Sequence, residues 1–562
     1  MSNNNENNRV DGEYRRPLLN LDDTTSIDWD RLFERKQVFS TMVMNGIDVD
    51  LSLSSSSSKQ SSVIVNHVIV LVHGWLGNSL EMDSLKESLQ TAIIEEQNKQ
   101  QQRQTSSSSN PTIERHRFVV HSALCNEGKT TDGIDAGGRR LAQEINSLLQ
   151  YVVRNNNSND DEDDENNNAE NRQHHQKQQF TLTICGNSLG GLYARRALAD
   201  IEWTVKTDQE SIQSQTATTT TTNTITPMLF VTTATPHLGV SQHTFIKLPR
   251  AVEYPIAQVL EQTGRDLFRF SNILQDLTFD PIYIRPLLQF QQRIAYANMY
   301  STDFQVPTPT AAFWAVNSDS PHHVVDMIIQ PSSEEESDNN DNKQLSDRVH
   351  SSAVRRNPPS TIVMTVSTPP QHDLLLYSSE GSTISTNKND NNDSSNDGDY
   401  YPSMYREWSK QLDRLGWTKV LVDVREHVPT VHFWSTKDSS SSSSSEDDGS
   451  SSIADESNNK NDGKESYVTT KKTWTADELL QKFGTGLLES TATMRKGLFF
   501  IRPPPPIRLP MGHTVMVANA KDEFNKWVNS GGKPVMDWLS QSIVEALQAS
   551  SSTSVLEEKR RR

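Results

Sequence analysis

Cysteine is scarce in this sequence, which has only Cys125 and Cys185 among its 562 residues. Two cysteines exclude a disulfide-stapled scaffold and give no sign of a zinc site. Cys185 lies inside an apolar run, so we expect it to be a small packing residue and not a redox group. Long apolar runs are also missing, since no stretch of about 18 apolar residues occurs. The sequence therefore predicts no membrane-spanning helix.

Basic residues are in deficit, with 54 Lys and Arg against 72 Asp and Glu and a formal net charge of -18. This balance argues against a nucleic-acid-binding surface. The first ten residues are rich in Asn and have no apolar segment, which predicts no secretory signal. We therefore expect an intracellular protein that lies in the cytoplasm or is peripheral to membranes or lipid droplets. Its oligomeric state is left open.

Hydrophobic residues make up only 33% of the chain and the mean hydropathy is -0.66, because polar low-complexity tracts dilute the apolar segments. Such tracts cannot bury enough apolar surface to offset the chain entropy lost on folding. We predict disorder over residues 1–60, over the tail 550–562, and in insertions near 97–111, 154–178, 207–224, 332–348, 378–398 and 437–468. Loop-closure entropy grows with the logarithm of length, so a fold tolerates such insertions on its surface. The sequence predicts one interrupted domain over 61–549.

Short β-rich runs alternate with helical patterns between these tracts. Strands are predicted over 67–72, 117–124, 180–185, 228–232, 294–298 and 420–424. Helices are predicted over 134–153, 189–198, 404–415 and 522–547. This alternation favours a mainly parallel sheet with helices on both faces, the α/β class. Ligands bind such sheets at the carboxyl ends of the strands, so we expect functional residues to follow strands.

The segment Gly186-Asn187-Ser188-Leu189-Gly190 reads G-x-S-x-G. The third predicted strand ends where this segment begins, and a helical pattern follows it directly. This context is typical of a nucleophile elbow, in which a sharp turn lifts a serine hydroxyl above the sheet and needs small neighbours on both sides. The alternative is a strand–loop–helix connection without catalysis. We predict Ser188 to be a nucleophile.

A second motif, HGWLG over 73–77, comes directly after the first predicted strand. A His-Gly turn at this place is typical of a loop that supplies an oxyanion donor. Backbone amides stabilise the negative charge of a tetrahedral intermediate by several kcal/mol. The predicted donors are the amides of Trp75 and Leu189, with Leu76 as the second choice for the loop. We expect His73 to hold the loop by hydrogen bonds and not to act as a base.

A nucleophile of this kind needs an acid and then a base later in the chain. Asp303 follows the fifth predicted strand, where a carboxylate can orient a histidine, and Asp319 is the reserve candidate. Three histidines follow the last predicted strand: His427, His432 and His513. His513 is the last of them, follows a glycine and precedes the C-terminal helix, so we predict it to be the base in a loop between the last strand and the last helix.

The chain between 235 and the fifth predicted strand is long and rich in apolar residues. Chain inserted at this place in a nucleophile-elbow fold forms a cap over the site, and an apolar cap suggests a pocket for acyl chains. Ordinary helix packing onto the sheet is the alternative. The substrate that the cap favours is a lipid-like ester.

Five segments resemble a known family, the lipase-like "putative serine esterase" group: 67–77, 126–141, 186–198, 233–239 and 293–310. Together they span about 65–320, and the chain from 417 to 513 resembles the end of the same domain less specifically. The resemblance implies an α/β-hydrolase fold and esterase or lipase activity on acylglycerols or phospholipids, as in fungal lipid-droplet and monoacylglycerol lipases. It also implies a triad of Ser188, Asp303 and His513.

The function predicted from these residues is hydrolysis of carboxylic esters through an acyl-enzyme, with a lipid or small ester as the substrate. This chemistry needs no metal and no organic cofactor. Two alternatives stay open. The same triad serves acyltransferases and thioesterases, and a hydrolase fold can be a catalytically silent scaffold whose polar tracts bind partners.

Overall fold

The computed structural model of the protein describes a defined set of residues. These are 41–44, 63–106, 114–158, 177–209, 219–241, 248–300, 302–303, 305–313, 359–371, 400–428, 430–432, 473–475, 507–508 and 511–561. Most of the residues expected to be disordered lie outside these ranges. The limits of the single domain, 61–549, therefore remain a prediction.

Nine of the described strands form one sheet. In chain order they are β1 (Thr41–Met44), β2 (Val63–Val72), β3 (Glu114–Ser122), β4 (Lys177–Asn187), β5 (Thr204–Gln209), β6 (Thr219–Thr233), β7 (Gln292–Asn298), β8 (Ile362–Ser367) and β9 (Thr418–Val422). The spatial order is β1-β3-β2-β4-β6-β7-β9-β8, with β5 paired to β6. The strands from β3 to β9 in that order are parallel, whereas β1, β5 and β8 pair antiparallel. The six parallel strands are those expected from the sequence.

Helices flank this sheet. They are α1 (Asp83–Ser106), α2 (Ile134–Ser158), α3 (Leu189–Ala197), α4 (Arg250–Val259), α5 (Glu261–Leu267), α6 (Ile273–Phe279), α7 (Pro281–Gln289), α8 (Thr308–Ala311), α9 (Tyr400–Asp413), α10 (Gly512–Met516), α11 (Glu523–Val528) and α12 (Lys533–Arg561). Two short 3-10 helices cover Ser79–Met82 and Ser530–Gly532. Three short strands, β10 (Thr430–His432), β11 (Thr473–Thr475) and β12 (Ile507–Arg508), form a second sheet.

Strand β2 shows why the sheet is buried on both faces. Successive side chains of a strand point to opposite faces. Val68, Val70 and Val72 pack into a cluster with residues of α2, α3 and α6. Ile69 and Leu71 pack on the other face with residues of α1, α10 and α12. An uninterrupted apolar strand is the expected composition when helices cover both faces.

Regular structure extends into five of the stretches expected to be disordered, and two of these cases are β1 within 1–60 and α12 in the tail 550–562. Helix α1 continues to Ser106 through a Gln-rich segment, which agrees with the good helix propensity of Gln and Glu. Helix α2 continues to Ser158. Strand β5 and the first part of β6 form an antiparallel pair from Thr204↔Thr224 to Gln209↔Thr219, where β-branched Thr favours a strand. Composition alone therefore placed the edges of these insertions too far into the fold.

The helix expected over 522–547 is divided in the structure. Helices α11 and α12 are separated by the 3-10 turn Ser530–Gly532. A Cβ on Gly532 would lie 1.6 Å from the carbonyl oxygen of Val515, so the turn approaches α10 more closely than any other residue type would allow. The low helix propensity of the Gly531-Gly532 pair and the packing of this turn against α10 both favour the interruption.

The apolar stretch between β6 and β7 folds into the four helices α4 to α7. Leu274, Leu277 and Leu287 of this stretch belong to the main core cluster, so α6 and α7 pack onto the sheet side. Helix α5 lies at the carboxyl edge instead, because Asp266 accepts a hydrogen bond from the amide of Ile134 at 2.7 Å. Packing onto the sheet therefore holds for α6 and α7, and a cap over the site remains a prediction. Among the described residues, none of the helices combines the length and apolar character needed to cross a bilayer.

Candidate active site

Ser188 lies in the turn between β4 and α3. Its backbone has φ 53° and ψ -124°, a positive φ that residues other than glycine rarely adopt. The amide of Ser188 donates to the carbonyl of Thr233 at 2.8 Å, which ties the turn to the end of β6. The residue is 7% exposed. The structure thus has the strand–turn–helix geometry expected around Ser188, and strained backbone of this kind clusters at functional sites.

The glycines of the G-x-S-x-G segment are required by close packing. A Cβ on Gly190 would lie 2.3 Å from the carbonyl oxygen of Val72, and one on Gly186 would lie 2.6 Å from the Cα of Gly191. Helix α3 therefore begins directly against the end of β2. This contact brings the turn at Ser188 beside the His73-Gly74 loop, where a Cβ on Gly74 would lie 2.8 Å from the Cβ of Ser188.

The loop after β2 holds the first of the predicted oxyanion donors. Within the described part of the chain, no hydrogen-bond partner is found for the amides of Trp75 and Leu189, which leaves both available to a ligand. The amide of Leu76 donates to Thr130 Oγ1 at 3.0 Å, so Leu76 is the less suitable donor. His73 is buried, and its Nδ1 lies 3.0 Å from the carbonyl oxygen of Gly74.

Asp303 lies five residues beyond the end of β7 and is 2% exposed. Its Oδ1 accepts the amides of Gln305 at 2.9 Å and Val306 at 2.8 Å. Its Oδ2 accepts Asn298 Nδ2 at 3.0 Å and faces His513 Nδ1 at 3.0 Å. Both carboxylate oxygens are thereby fixed, and the direction in which Asp303 presents its charge is set by the fold.

The sequence suggested that His513 lies in a loop. In the structure it lies in the short helix α10 instead. An antiparallel bridge between Asp303 and Met511 and a 2.9 Å bond from the amide of Gly512 to the carbonyl of Thr302 hold α10 against the segment after β7. Burial works to lower the pKa of His513, but the charge of Asp303, the hydrogen bond to it and the charge of Glu81 together raise that pKa above 6.5.

The structure brings the predicted residues to one edge of the sheet. The turn at Ser188 follows β4, Asp303 follows β7, and β6 lies between these two strands. His513 is bonded to Asp303. Asp319 lies outside the described residues. His427 packs against Gly531 beyond β9, and His432 lies in the separate sheet of β10 to β12.

Two residues at this edge had no role in the sequence-based prediction. Asn298, the last residue of β7, donates to Asp303 Oδ2. The sequence did offer one indication of it, a polar residue at the end of a predicted strand, five residues before the predicted acid. Glu81 accepts hydrogen bonds from Gly74 and Asn187. Nothing in the sequence marks Glu81, because acidic residues near a helix start are common.

The described residues include no group of three or more His, Cys, Asp and Glu side chains placed to hold a metal ion. At the carboxyl edge of the sheet, a buried hydroxyl stands on a strained turn and a buried carboxylate holds a histidine, and the amides of Trp75 and Leu189 have no partner among the described residues. This set of groups is suited to acyl transfer.

Residues 64–313 match the model of the family described as "Putative serine esterase (DUF676)", over somewhat less than half of the 562 residues. The match confirms the resemblance seen in the five motif segments. Among solved structures, the peroxisomal alpha-beta-hydrolase Lpx1 from Saccharomyces cerevisiae matches at 8% identity, over 48% of this chain and 76% of that chain, with a TM-score of 0.22. Comparison with curated proteins gave no match.

The fold is that of an α/β-hydrolase. Its mainly parallel sheet is covered by helices on both faces, and β2 lies between β3 and β4, so the strand order reverses at β2. The loop after β2 and the turn at Ser188 meet at this reversal, which is where sheets of this kind bind ligands. The family match independently supports a serine esterase function for the protein.

Proposed function

We propose that this protein is a serine esterase that hydrolyses lipid-like carboxylic esters, with Ser188 as nucleophile, His513 as base and Asp303 as the acid that orients the base. One observation carries this proposal more than any other. His513 and Asp303 are 210 positions apart in sequence, and their side chains meet at 3.0 Å at the edge of the sheet where the strained turn of Ser188 also lies.

The bond between His513 and Asp303 sets the tautomer that the first step needs. A proton on Nδ1 is donated to the carboxylate, which leaves the Nε2 lone pair free to accept the Ser188 hydroxyl proton. The Ser188 oxygen then bonds to the ester carbonyl carbon, and the imidazolium on His513 is stabilised by the Asp303 charge. The raised pKa of His513 supports this role.

The tetrahedral intermediate places a negative charge on the former carbonyl oxygen. The amides of Trp75 and Leu189 are the donors proposed to stabilise this oxygen. Each such donor stabilises the transition state by about 3 kcal/mol. Collapse of the intermediate breaks the bond to the alcohol, which takes the proton from His513. Water then attacks the acyl-enzyme as His513 accepts its proton. The second tetrahedral intermediate collapses as His513 returns that proton to the Ser188 oxygen and the carboxylic acid leaves.

Apolar side chains around the proposed site support an apolar acyl substrate. Trp75 is 36% exposed and Leu76 is 61% exposed in the loop after β2. Exposed apolar side chains beside a site supply surface for an acyl chain. Helix α5, which contacts the chain just before α2 through Asp266, lies at the same edge of the sheet.

The test is hydrolysis of p-nitrophenyl esters from short to long acyl chains by the purified full chain. Ser188→Ala is expected to lose essentially all activity, and a fluorophosphonate probe is expected to label wild type alone. Ser540→Ala is the matched control, because its hydroxyl donates to the Asp537 carbonyl within α12. That variant is expected to retain wild-type activity.

Each remaining outcome assigns a different function. Faster acyl transfer to added alcohol than to water would make the protein an acyltransferase on the same residues. Cleavage of thioesters in preference to oxygen esters would make it a thioesterase. A folded protein that neither hydrolyses esters nor reacts with the probe would overturn the catalytic proposal in favour of a scaffold.

A further inference from the structure

Glu81 is a buried carboxylate between the two loops of the proposed site. It belongs to the 3-10 helix Ser79–Met82 and is 3% exposed. Its Oε1 accepts the amide of Gly74 at 2.8 Å and the side-chain Nδ2 of Asn187 at 2.7 Å. A Cβ on Gly77 would lie 2.1 Å from its Oε2, so the loop after β2 wraps closely around the carboxylate.

The bonds of Asn187 extend this contact to a third strand. Its Oδ1 accepts Thr233 Oγ1 at 2.9 Å, and the carbonyl of Thr233 accepts the amide of Ser188 at 2.8 Å. The ends of β2, β4 and β6 are therefore linked by hydrogen bonds that meet at Glu81. Because one oxygen accepts from both Gly74 and Asn187, it fixes the separation of the two loops.

The charge of Glu81 also reaches His513. Burial lowers the pKa of His513, and the charge of Asp303 and the hydrogen bond to it raise that pKa. The charge of Glu81 raises it further by a smaller amount. A second negative charge near the base favours the imidazolium that forms during catalysis. The carbonyl of Glu81 also accepts the amide of Ala520 at 3.4 Å, so the segment just after α10, the helix of His513, packs against this residue.

We infer that Glu81 is a positioning residue of the proposed site: its carboxylate holds the loop of Trp75 against the Ser188 turn and stabilises protonated His513. The inference rests on the proposed function. Its two parts, the separation of the two loops and the effect of the charge on His513, can be measured separately. The distance between loops depends on the acceptor, whereas the effect on His513 depends on the charge.

Two carboxylates of the described residues act on His513. Asp303 faces it from the segment after β7, and Glu81 acts on it from the 3-10 helix. His427, from the segment after β9, packs against Gly531 in the turn before α12, and burial lowers its pKa below 6.5. The pKa values of His427 and His513 therefore lie on opposite sides of 6.5, so the two titrations can be told apart.

The decisive experiment titrates the His513 imidazole by NMR in protein carrying ¹³C-labelled histidine, with wild type and Glu81→Gln compared. Gln keeps an oxygen acceptor and removes the charge. The pKa of His513 is expected to fall by about 0.5 unit or more, given the size of single-charge effects at short range. The control is Glu127→Gln. In the wild type, the Glu127 carboxylate accepts the amide of Ser79 at 2.6 Å, and Ser79 lies on the same 3-10 helix as Glu81.

Kinetics test the positioning part. The acid limb of kcat/KM is expected to move to lower pH in Glu81→Gln, with a loss of about tenfold at its optimum. Glu81→Ala, which also removes the acceptor, is expected to lose about 100-fold, the effect of a displacement of about 1 Å. Thermal melting monitors folding in each variant.

The outcomes separate this inference from the proposed function. An unmoved His513 titration in folded Glu81→Gln overturns the inference even if esters are hydrolysed. A shifted titration in a protein that fails to hydrolyse any ester sustains the electrostatic contact while the esterase proposal fails. Equal losses in Glu81→Gln and Glu127→Gln would reduce Glu81 to a folding residue and overturn its positioning role.

Discussion

Replacing Asp303 with Asn changes the proposed acid by a single group. Asp303 accepts Gln305 and Val306 amides on Oδ1, and Asn298 Nδ2 and His513 Nδ1 on Oδ2. An asparagine whose carbonyl oxygen keeps the two backbone bonds must present its NH₂ group where Oδ2 stood. The NH₂ group of the new asparagine then faces two other donors, Asn298 Nδ2 and the N–H at His513 Nδ1. No rotation of the asparagine side chain gives all of these donors an acceptor.

The mismatch is transferred to the histidine. His513 can meet the new donor only by turning a lone pair at Nδ1 toward it, which puts the ring proton on Nε2. That tautomer cannot accept the Ser188 proton. We expect kcat/KM to fall by about 10⁴-fold, the size of this effect in serine hydrolases, which corresponds to about 5.5 kcal/mol of transition-state stabilisation.

The assay is kcat/KM on a p-nitrophenyl ester at pH 8, with circular dichroism melting to confirm the fold. Asp200→Asn is the matched control, because Asp200 pairs with Arg196 in an ion pair whose carboxylate is 42% exposed. Partly exposed pairs contribute at most about 1 kcal/mol to stability, and activity is expected to stay within twofold of wild type. A folded Asp303→Asn protein that keeps kcat/KM within tenfold of wild type would refute the assignment of Asp303.

Three further results are expected. Because the pKa of His513 is raised above 6.5 and the base must be neutral, kcat/KM is expected to fall as the pH drops through a value above 6.5, and an acid limb below 6.5 would contradict this. Gly190→Ala sets a Cβ 2.3 Å from the Val72 carbonyl oxygen and is expected to lower stability by about 2 kcal/mol or more, whereas Gly128→Ala meets nothing within 4 Å and costs about 1 kcal/mol from its positive φ. Leu149→Ala, at 0% exposure, is expected to cost about 3 kcal/mol in denaturant unfolding, and a cost under about 1 kcal/mol would contradict its place in the core.

The parallel strands could be predicted because their composition has one dominant cause. A strand buried on both faces is mostly apolar, and β2 contains such a run from Val68 to Val72, whereas Thr181 and Thr183 interrupt the apolar residues of β4. Strand β8, at the end of the sheet, is largely only half-buried, and its composition gave no comparable signal. The division of α11 from α12 is marked in sequence by the Gly531-Gly532 pair, whereas the contact of Gly532 with Val515 is a property of the folded chain.

The candidate site shows the same limit. The motif around Ser188 is local, so its spacing is visible in sequence. The approach of His513 to Asp303 and the burial of Glu81 between two loops depend on strand order, which spacing does not encode. The roles of Ser188, Asp303 and His513 in catalysis remain predictions. So do a lipid or small ester as substrate, the absence of nucleic-acid binding, and a place in the cytoplasm or at a membrane surface.

The 210 residues that separate Asp303 from His513 have a consequence for the order in which the protein becomes active. Ribosomal synthesis delivers the Ser188 turn and Asp303 long before α10, so on the proposed roles a nascent chain holds a nucleophile without a base. The segment that brings His513 also supplies α12, whose residues cover one face of the sheet. If His513 is the base, a chain halted before residue 511 lacks its catalytic base and the helix cover of that face together.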